Sequence, residues 1–282
     1  MRDARGRTVP VNGGSVYVEE SGTGPGAVVF EAGMGCGRTC WDPVLPALAG
    51  RARLVAYDRA GRARTGAPVR PTLDGMAADL VALAETVAPD GFVLVAHSMG
   101  GLIARRAAES LGGRLRGLLL IDPTPETAPA YATWDDTAAK IDRSLAVAGG
   151  LARVPALAGL LSRDVKRLYG AATYATMIAE DFTHAGIAQN RAENRAVAAA
   201  VRAYRAEPPR PPECPTVVLG ATRPPGDAKR AQRQAEGRDH QRRYAESLPH
   251  GRYEPVDSGH FIQAEHPVLV AERTRLLLDG HA

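Results

Sequence analysis

Ser98, in the stretch Val93-Leu94-Val95-Ala96-His97-Ser98-Met99-Gly100-Gly101, is the residue of this chain best placed to do chemistry. The apolar run before it reads as a buried strand ending at Ala96. The pattern from Met99 onward is helical, so the serine falls on the sharp turn between strand and helix. Small residues two places to either side, Ala96 and Gly100, let the two elements approach closely there. Such a turn exposes the hydroxyl, but a serine hydroxyl is a weak nucleophile at neutral pH unless a base takes its proton. His260, in Asp257-Ser258-Gly259-His260-Phe261, is the candidate base, with a hydrogen-bonded loop histidine as its plain reading. A carboxylate must then hold the imidazole tautomer and stabilise its protonated form. Asp122, Asp227 and Asp257 are the candidates for it.

These residues need elements that bring them together. Val16 to Glu20, Ala27 to Glu31, Arg53 to Tyr57, Val93 to Ala96, Leu115 to Ile121, Thr216 to Leu219 and Arg252 to Val256 read as strands. A helix is expected to start near Trp41, others to cover Thr72 to Val87, the turn after Ser98 and Asp239 to Leu248, and a last one opens at Pro267. Strand, helix and strand in repetition predict a mainly parallel sheet with helices on both faces and ligands at the carboxyl ends of the strands. Asp122 is expected at such an end, where it is also good turn chemistry before Pro123-Thr124-Pro125.

From Thr124 to about Pro212 the character changes. Helical patterns at Ile141 to Ala148, Pro155 to Leu161, Ala171 to Glu180 and Asn190 to Arg205 follow one another without a strand, and a proline cluster closes the segment. The expected organisation is a core of residues 1–123 and 213–282 carrying a helical lid at 124–212. Apolar lid residues such as Leu145, Leu157, Met177 and Ile178 could face substrate or pack within the lid.

The chain has 282 residues, a formal charge of +4 and three cysteines. Its pI near 9.1 comes from arginine, since Lys140, Lys166 and Lys229 are the only lysines. The positive charge is spread rather than gathered in a stripe, which argues against nucleic-acid binding. Asp58 to Gly66 lacks the spacing of a phosphate loop. Cys36, Cys40 and Cys214 are not arranged as a metal site. Met1 to Pro10 lacks a signal-peptide core, and no run reaches membrane length, so a cytoplasmic protein is expected.

Ala32-Gly33-Met34-Gly35, Asp58-Arg59-Ala60-Gly61, Ala96-His97-Ser98-Met99-Gly100-Gly101 and Asp257-Ser258-Gly259-His260-Phe261, in this order along nearly the whole chain, resemble the α/β-hydrolase family. The resemblance implies an α/β fold, Ser98 as nucleophile and His260 as base, with no cofactor or metal. It implies an acid in one of two places. After the strand that follows the lid, where much of the family has it, this chain reads Leu219-Gly220-Ala221-Thr222-Arg223, with no carboxylate. Asp122 occupies the alternative position and is preferred to Asp227. Backbone N–H groups of Met34 and Met99 are the expected oxyanion donors, Cys36, Cys40 and Trp41 the expected pocket border, and His97 a structural residue pointing away from Ser98. The implied activity is ester cleavage of a small molecule through an acyl-serine. Thioester, lactone or carbon–carbon bond cleavage and acyl transfer use the same groups, and a binding protein that has lost turnover is the non-enzymatic alternative. Serine in place of a carboxylate at position 98 argues against epoxide hydrolysis.

Overall fold

The computed structural model describes residues 5–12, 14–66, 71–153, 162–224 and 226–280. Its strands are β1 (Arg5–Val11), β2 (Gly14–Ser21), β3 (Gly26–Glu31), β4 (Ala52–Asp58), β5 (Phe92–His97), β6 (Leu115–Ile121), β7 (Thr216–Ala221) and β8 (Gly251–Val256). They form one sheet in the order β1-β2-β4-β3-β5-β6-β7-β8. The first two pairings, β1 with β2 and β2 with β4, are antiparallel, and the rest are parallel.

The central strand β5 is buried along its whole length, as a parallel strand covered on both faces must be. Its side chains alternate between two cores. Phe92, Leu94 and Ala96 pack with α2 (Leu73–Val87) and α3 (Met99–Leu111), while Val93 and Val95 pack with Trp41, Leu48, Val270 and Leu277 on the other face. Thr72 caps α2 by accepting from the Gly75 N–H at 3.0 Å.

Between β6 and β7 the described residues hold no strand. They carry α4 (Trp134–Leu151), α5 (Arg163–Leu168), α6 (Ala171–Glu180) and α7 (His184–Ala206), of which α4 and α7 pack together. The helix expected at Pro155 to Leu161, with Leu157, lies outside the described residues. Met177 is buried against the core, whereas Leu145 and Ile178 are half-buried.

Several elements differ from expectation. The edge strand β1 was not foreseen; its flanking arginines mask a short alternation in which Val9 and Val11 face inward. Near Trp41 there is a 3-10 turn, Arg38–Trp41, and then only the single-turn α1 (Leu45–Leu48), which has Pro46 in its first turn and Gly50 at φ 79° just past its end. The helix expected from Asp239 is α8 (Ala228–Ser247), which begins eleven residues earlier, directly after its cap Asp227. Its first half has no apolar stripe, so periodicity could not mark it. Two further helices, α9 (Ile262–Glu265) and α10 (Pro267–Leu278), end the chain. Among the described residues no helix is long and apolar enough to cross a membrane.

Candidate active site

Ser98 sits between β5 and α3 with φ 54° and ψ −119°, a conformation that non-glycine residues rarely adopt. The surroundings fix it: its N–H donates to the Ile121 carbonyl at 3.0 Å, and its carbonyl accepts from Gly101 and Thr124. The tightness of the turn explains Gly100, where a Cβ would lie 2.7 Å from the Glu31 carbonyl oxygen. Strain of this kind costs on the order of 1–3 kcal/mol and is typical of residues held ready for chemistry.

Three of the expected residues converge at the carboxyl ends of β5, β6 and β8. The His260 Nε2 lies 3.0 Å from Ser98 Oγ, and its Nδ1 lies 2.6 Å from Asp122 Oδ2. Asp122 has φ 40°, a left-handed conformation that aspartate tolerates, and this turns its carboxylate toward the histidine. Its other oxygen accepts from the Gln241 side-chain amide at 3.0 Å and the Ala221 N–H at 3.3 Å. Burial raises the carboxyl pKa, but the hydrogen bond and charge of His260, with Gln241 and Ala221, outweigh it and hold Asp122 below the usual range. An ionised Asp122 only accepts, so Nδ1 carries the ring proton and Nε2 is free to receive the one on Ser98.

The competing aspartates are engaged elsewhere. Asp227 caps α8, accepting from the Lys229 and Arg230 N–H groups at 2.8 and 3.1 Å. The Asp257 side chain is 88% exposed and faces Arg223. The turn after β7, which lacks a carboxylate, serves Asp122 instead through the Ala221 N–H.

His97 lies against His260. Its Nε2 donates to the His260 carbonyl at 2.9 Å, and the two rings lie 4.6 Å apart. Burial lowers the His97 pKa to about 3, keeping the ring neutral beside His260.

The glycine loop after β3 approaches the same point. A Cβ on Gly33 would fall 2.7 Å from His97 Nδ1 and 3.3 Å from Ser98 Cβ. Among the described residues, neither the Met34 nor the Met99 N–H donates a hydrogen bond, leaving both available to a developing negative charge. Sequence patterns gave no sign of what holds this loop. Glu193 on α7 accepts from the Gly35 N–H at 2.9 Å and from Arg59 and Arg62 at 3.0 Å each. Arg59 also reaches the carbonyls of Ala32 and Gly33 and, at 2.7 Å, the Glu31 carboxylate. Burial would raise the Glu193 pKa, but Arg59 and Arg62 pull it down to about 2.

The expected pocket border needs correction. Cys40 and Trp41 are fully buried in the core, where Trp41 packs on Phe30 at 5.1 Å, and Cys36 is half-buried against that core with its thiol pKa pushed up to about 12 by burial. The cleft at Ser98, Asp122 and His260 has a volume of about 320 Å³ and is bordered instead by Tyr131, Trp134 and the α8 residues Arg230, Arg233, Arg238 and Gln241. A roomier groove of about 620 Å³ between Pro71–Asp74 and the α7 surface holds no serine, histidine or cysteine. Among the described residues no group of three or more His, Cys, Asp or Glu side chains is placed to hold a metal.

The chain shares 31% identity over 108 residues with RutD of Azorhizobium caulinodans, which is named as a carbamate hydrolase; the match spans 38% of this chain and 40% of that protein. Among solved structures, an epoxide hydrolase variant of Vigna radiata superposes with a TM-score of 0.78 over 99% of both chains at 17% identity. The enol-lactonase of Burkholderia xenovorans LB400 does so with 0.69, over 97% of this chain and 100% of that one, at 21% identity. Identities this low carry the fold and not the substrate. The sequence model of the alpha/beta hydrolase family matches residues 28–273, and the chain belongs to that family.

Proposed function

We propose that this chain is a serine hydrolase that cleaves a carboxylic ester, or a closely related acyl bond, through an acyl-Ser98 intermediate. The observation that carries the reading is the hydrogen-bonded line Asp122–His260–Ser98, with contacts of 2.6 and 3.0 Å. His260 Nε2 takes the Ser98 proton as Oγ attacks the carbonyl carbon, and Asp122 stabilises the imidazolium. The Met34 and Met99 N–H groups receive the oxyanion. Collapse of the tetrahedral intermediate breaks the ester bond, and the imidazolium gives its proton to the departing alcohol. A water molecule, deprotonated by His260, then releases the acid and restores Ser98. The partner is a small-molecule substrate.

The test is hydrolysis of short- and medium-chain p-nitrophenyl esters by the wild type, Ser98→Ala, His260→Ala and Asp122→Asn. Wild-type turnover that falls by several orders of magnitude in each variant, with folding intact, supports the reading. Turnover that survives in Ser98→Ala overturns it.

A further inference from the structure

The cleft beside Ser98 has an uneven charge. Its border takes three guanidinium groups from one face of α8, those of Arg230, Arg233 and Arg238, and one carboxylate, Asp122, which is already engaged by His260, Gln241 and Ala221. Arg238 makes a single long contact, at 3.4 Å, with the Thr222 carbonyl. Among the described residues, Arg230 and Arg233 pair with no carboxylate at ion-pair distance, although Asp227 stands at the start of the same helix. Many of the chain's other arginines are matched, from Arg38, Arg59 and Arg62 in the interior to Arg106, Arg191 and Arg223 at the surface.

We infer that the acyl or alcohol part of the substrate carries an anionic group, of carboxylate kind, which the Arg230–Arg233–Arg238 face of α8 holds while Ser98 attacks the ester. The inference rests on the hydrolase reading for the reaction and on the cleft itself for the charge. The guanidinium fork suits a carboxylate, and its long reach lets it meet the charge at the mouth of the cleft, away from the reacting carbonyl.

The test uses two esters of similar shape, monomethyl glutarate and methyl pentanoate, the first with a carboxylate where the second has a methyl group. Binding to Ser98→Ala is measured by calorimetry at low ionic strength, so that it does not depend on turnover. The glutarate is expected to bind about tenfold more tightly, the combined worth of two or three partly exposed ion pairs, and the advantage is expected to shrink with salt. In Arg230→Gln/Arg233→Gln/Arg238→Gln the advantage is expected to vanish, and in Arg230→Lys/Arg233→Lys/Arg238→Lys much of it should return. Equal binding of the two esters, or an advantage unaltered in the glutamine variant, overturns the inference. The corresponding mono-p-nitrophenyl glutarate and p-nitrophenyl pentanoate, offered to the wild type, separate the two claims. Turnover of the neutral ester in preference to the acidic one removes the anion site and leaves the hydrolase. Glutarate binding to Ser98→Ala, with neither ester cleaved by the wild type, removes the hydrolase and leaves the anion site.

Discussion

Replacing Glu193 by glutamine is expected to show how far the active-site loop depends on a charge contributed by a distant helix. The carboxylate is 1% exposed and accepts from Arg59, Arg62 and the Gly35 N–H. Glutamine keeps one acceptor and sets an amide NH₂ against two buried guanidinium groups. Arg59 retains Glu31 at 2.7 Å and Arg62 retains Asp181 at 3.3 Å, so each loses one of its two anions. Removing one member of a buried ion network costs about 3–5 kcal/mol. Proton linkage gives a similar figure by another route: holding the carboxyl at about 2 instead of its ordinary 4.5 is worth about 3 kcal/mol. Because the folded-state pKa is depressed, this stabilisation is complete above pH 4.5 and is lost as pH falls toward 2. Urea unfolding followed by circular dichroism should therefore show the variant less stable by about 3 kcal/mol at pH 7, with the gap closing below pH 4.5. A gap under about 1 kcal/mol at neutral pH, or one independent of pH, would refute the reasoning.

Other perturbations separate the roles of single residues. Asp122→Asn should lower kcat about 10⁴-fold in ester hydrolysis by favouring the wrong imidazole tautomer, whereas Asp227→Asn, which still caps α8, should leave both turnover and the unfolding midpoint near wild type. Gly33→Ala places a Cβ 2.7 Å from His97 Nδ1, so thermal unfolding should report a loss of about 1–3 kcal/mol and steady-state kinetics a fall in kcat greater than any rise in KM. His97→Leu removes the donor to the His260 carbonyl; a loss of about 1–3 kcal/mol is expected, with a lower kcat because His260 is less firmly placed. Full activity in that variant would show that the contact does not matter to the chemistry.

The parts that were legible in the sequence are those whose signal is local. The apolar run into Ser98 and the glycines after it mark both a buried strand and a tight turn. The mainly parallel character of the sheet follows from strands alternating with helices, whereas its strand order does not. Asp122 was legible as the preferred acid, but the contacts that separate it from Asp227 were not, because they depend on β6 and β7 being neighbours and on Asp227 capping α8. Glu193 and Gln241 were not legible at all. Each lies on a helix with no motif around it, and each matters through a contact with a chain segment more than a hundred residues away. The misplaced pocket border has a similar cause: Cys40 and Trp41 follow the glycine loop in sequence, but Pro43 and the turn at Arg38–Trp41 fold them beneath the sheet and not into the cleft. The arginines of α8 escaped notice because their helix has no apolar face to reveal it.

The central claim is that Ser98 is a nucleophile activated by His260. It is tested most directly by treating the folded wild type, Ser98→Ala and His260→Ala with a fluorophosphonate and recording intact masses. A single adduct on the wild type, absent in Ser98→Ala and formed far more slowly in His260→Ala, is the predicted result. An unlabelled wild type, or an adduct that persists in Ser98→Ala, would contradict the account.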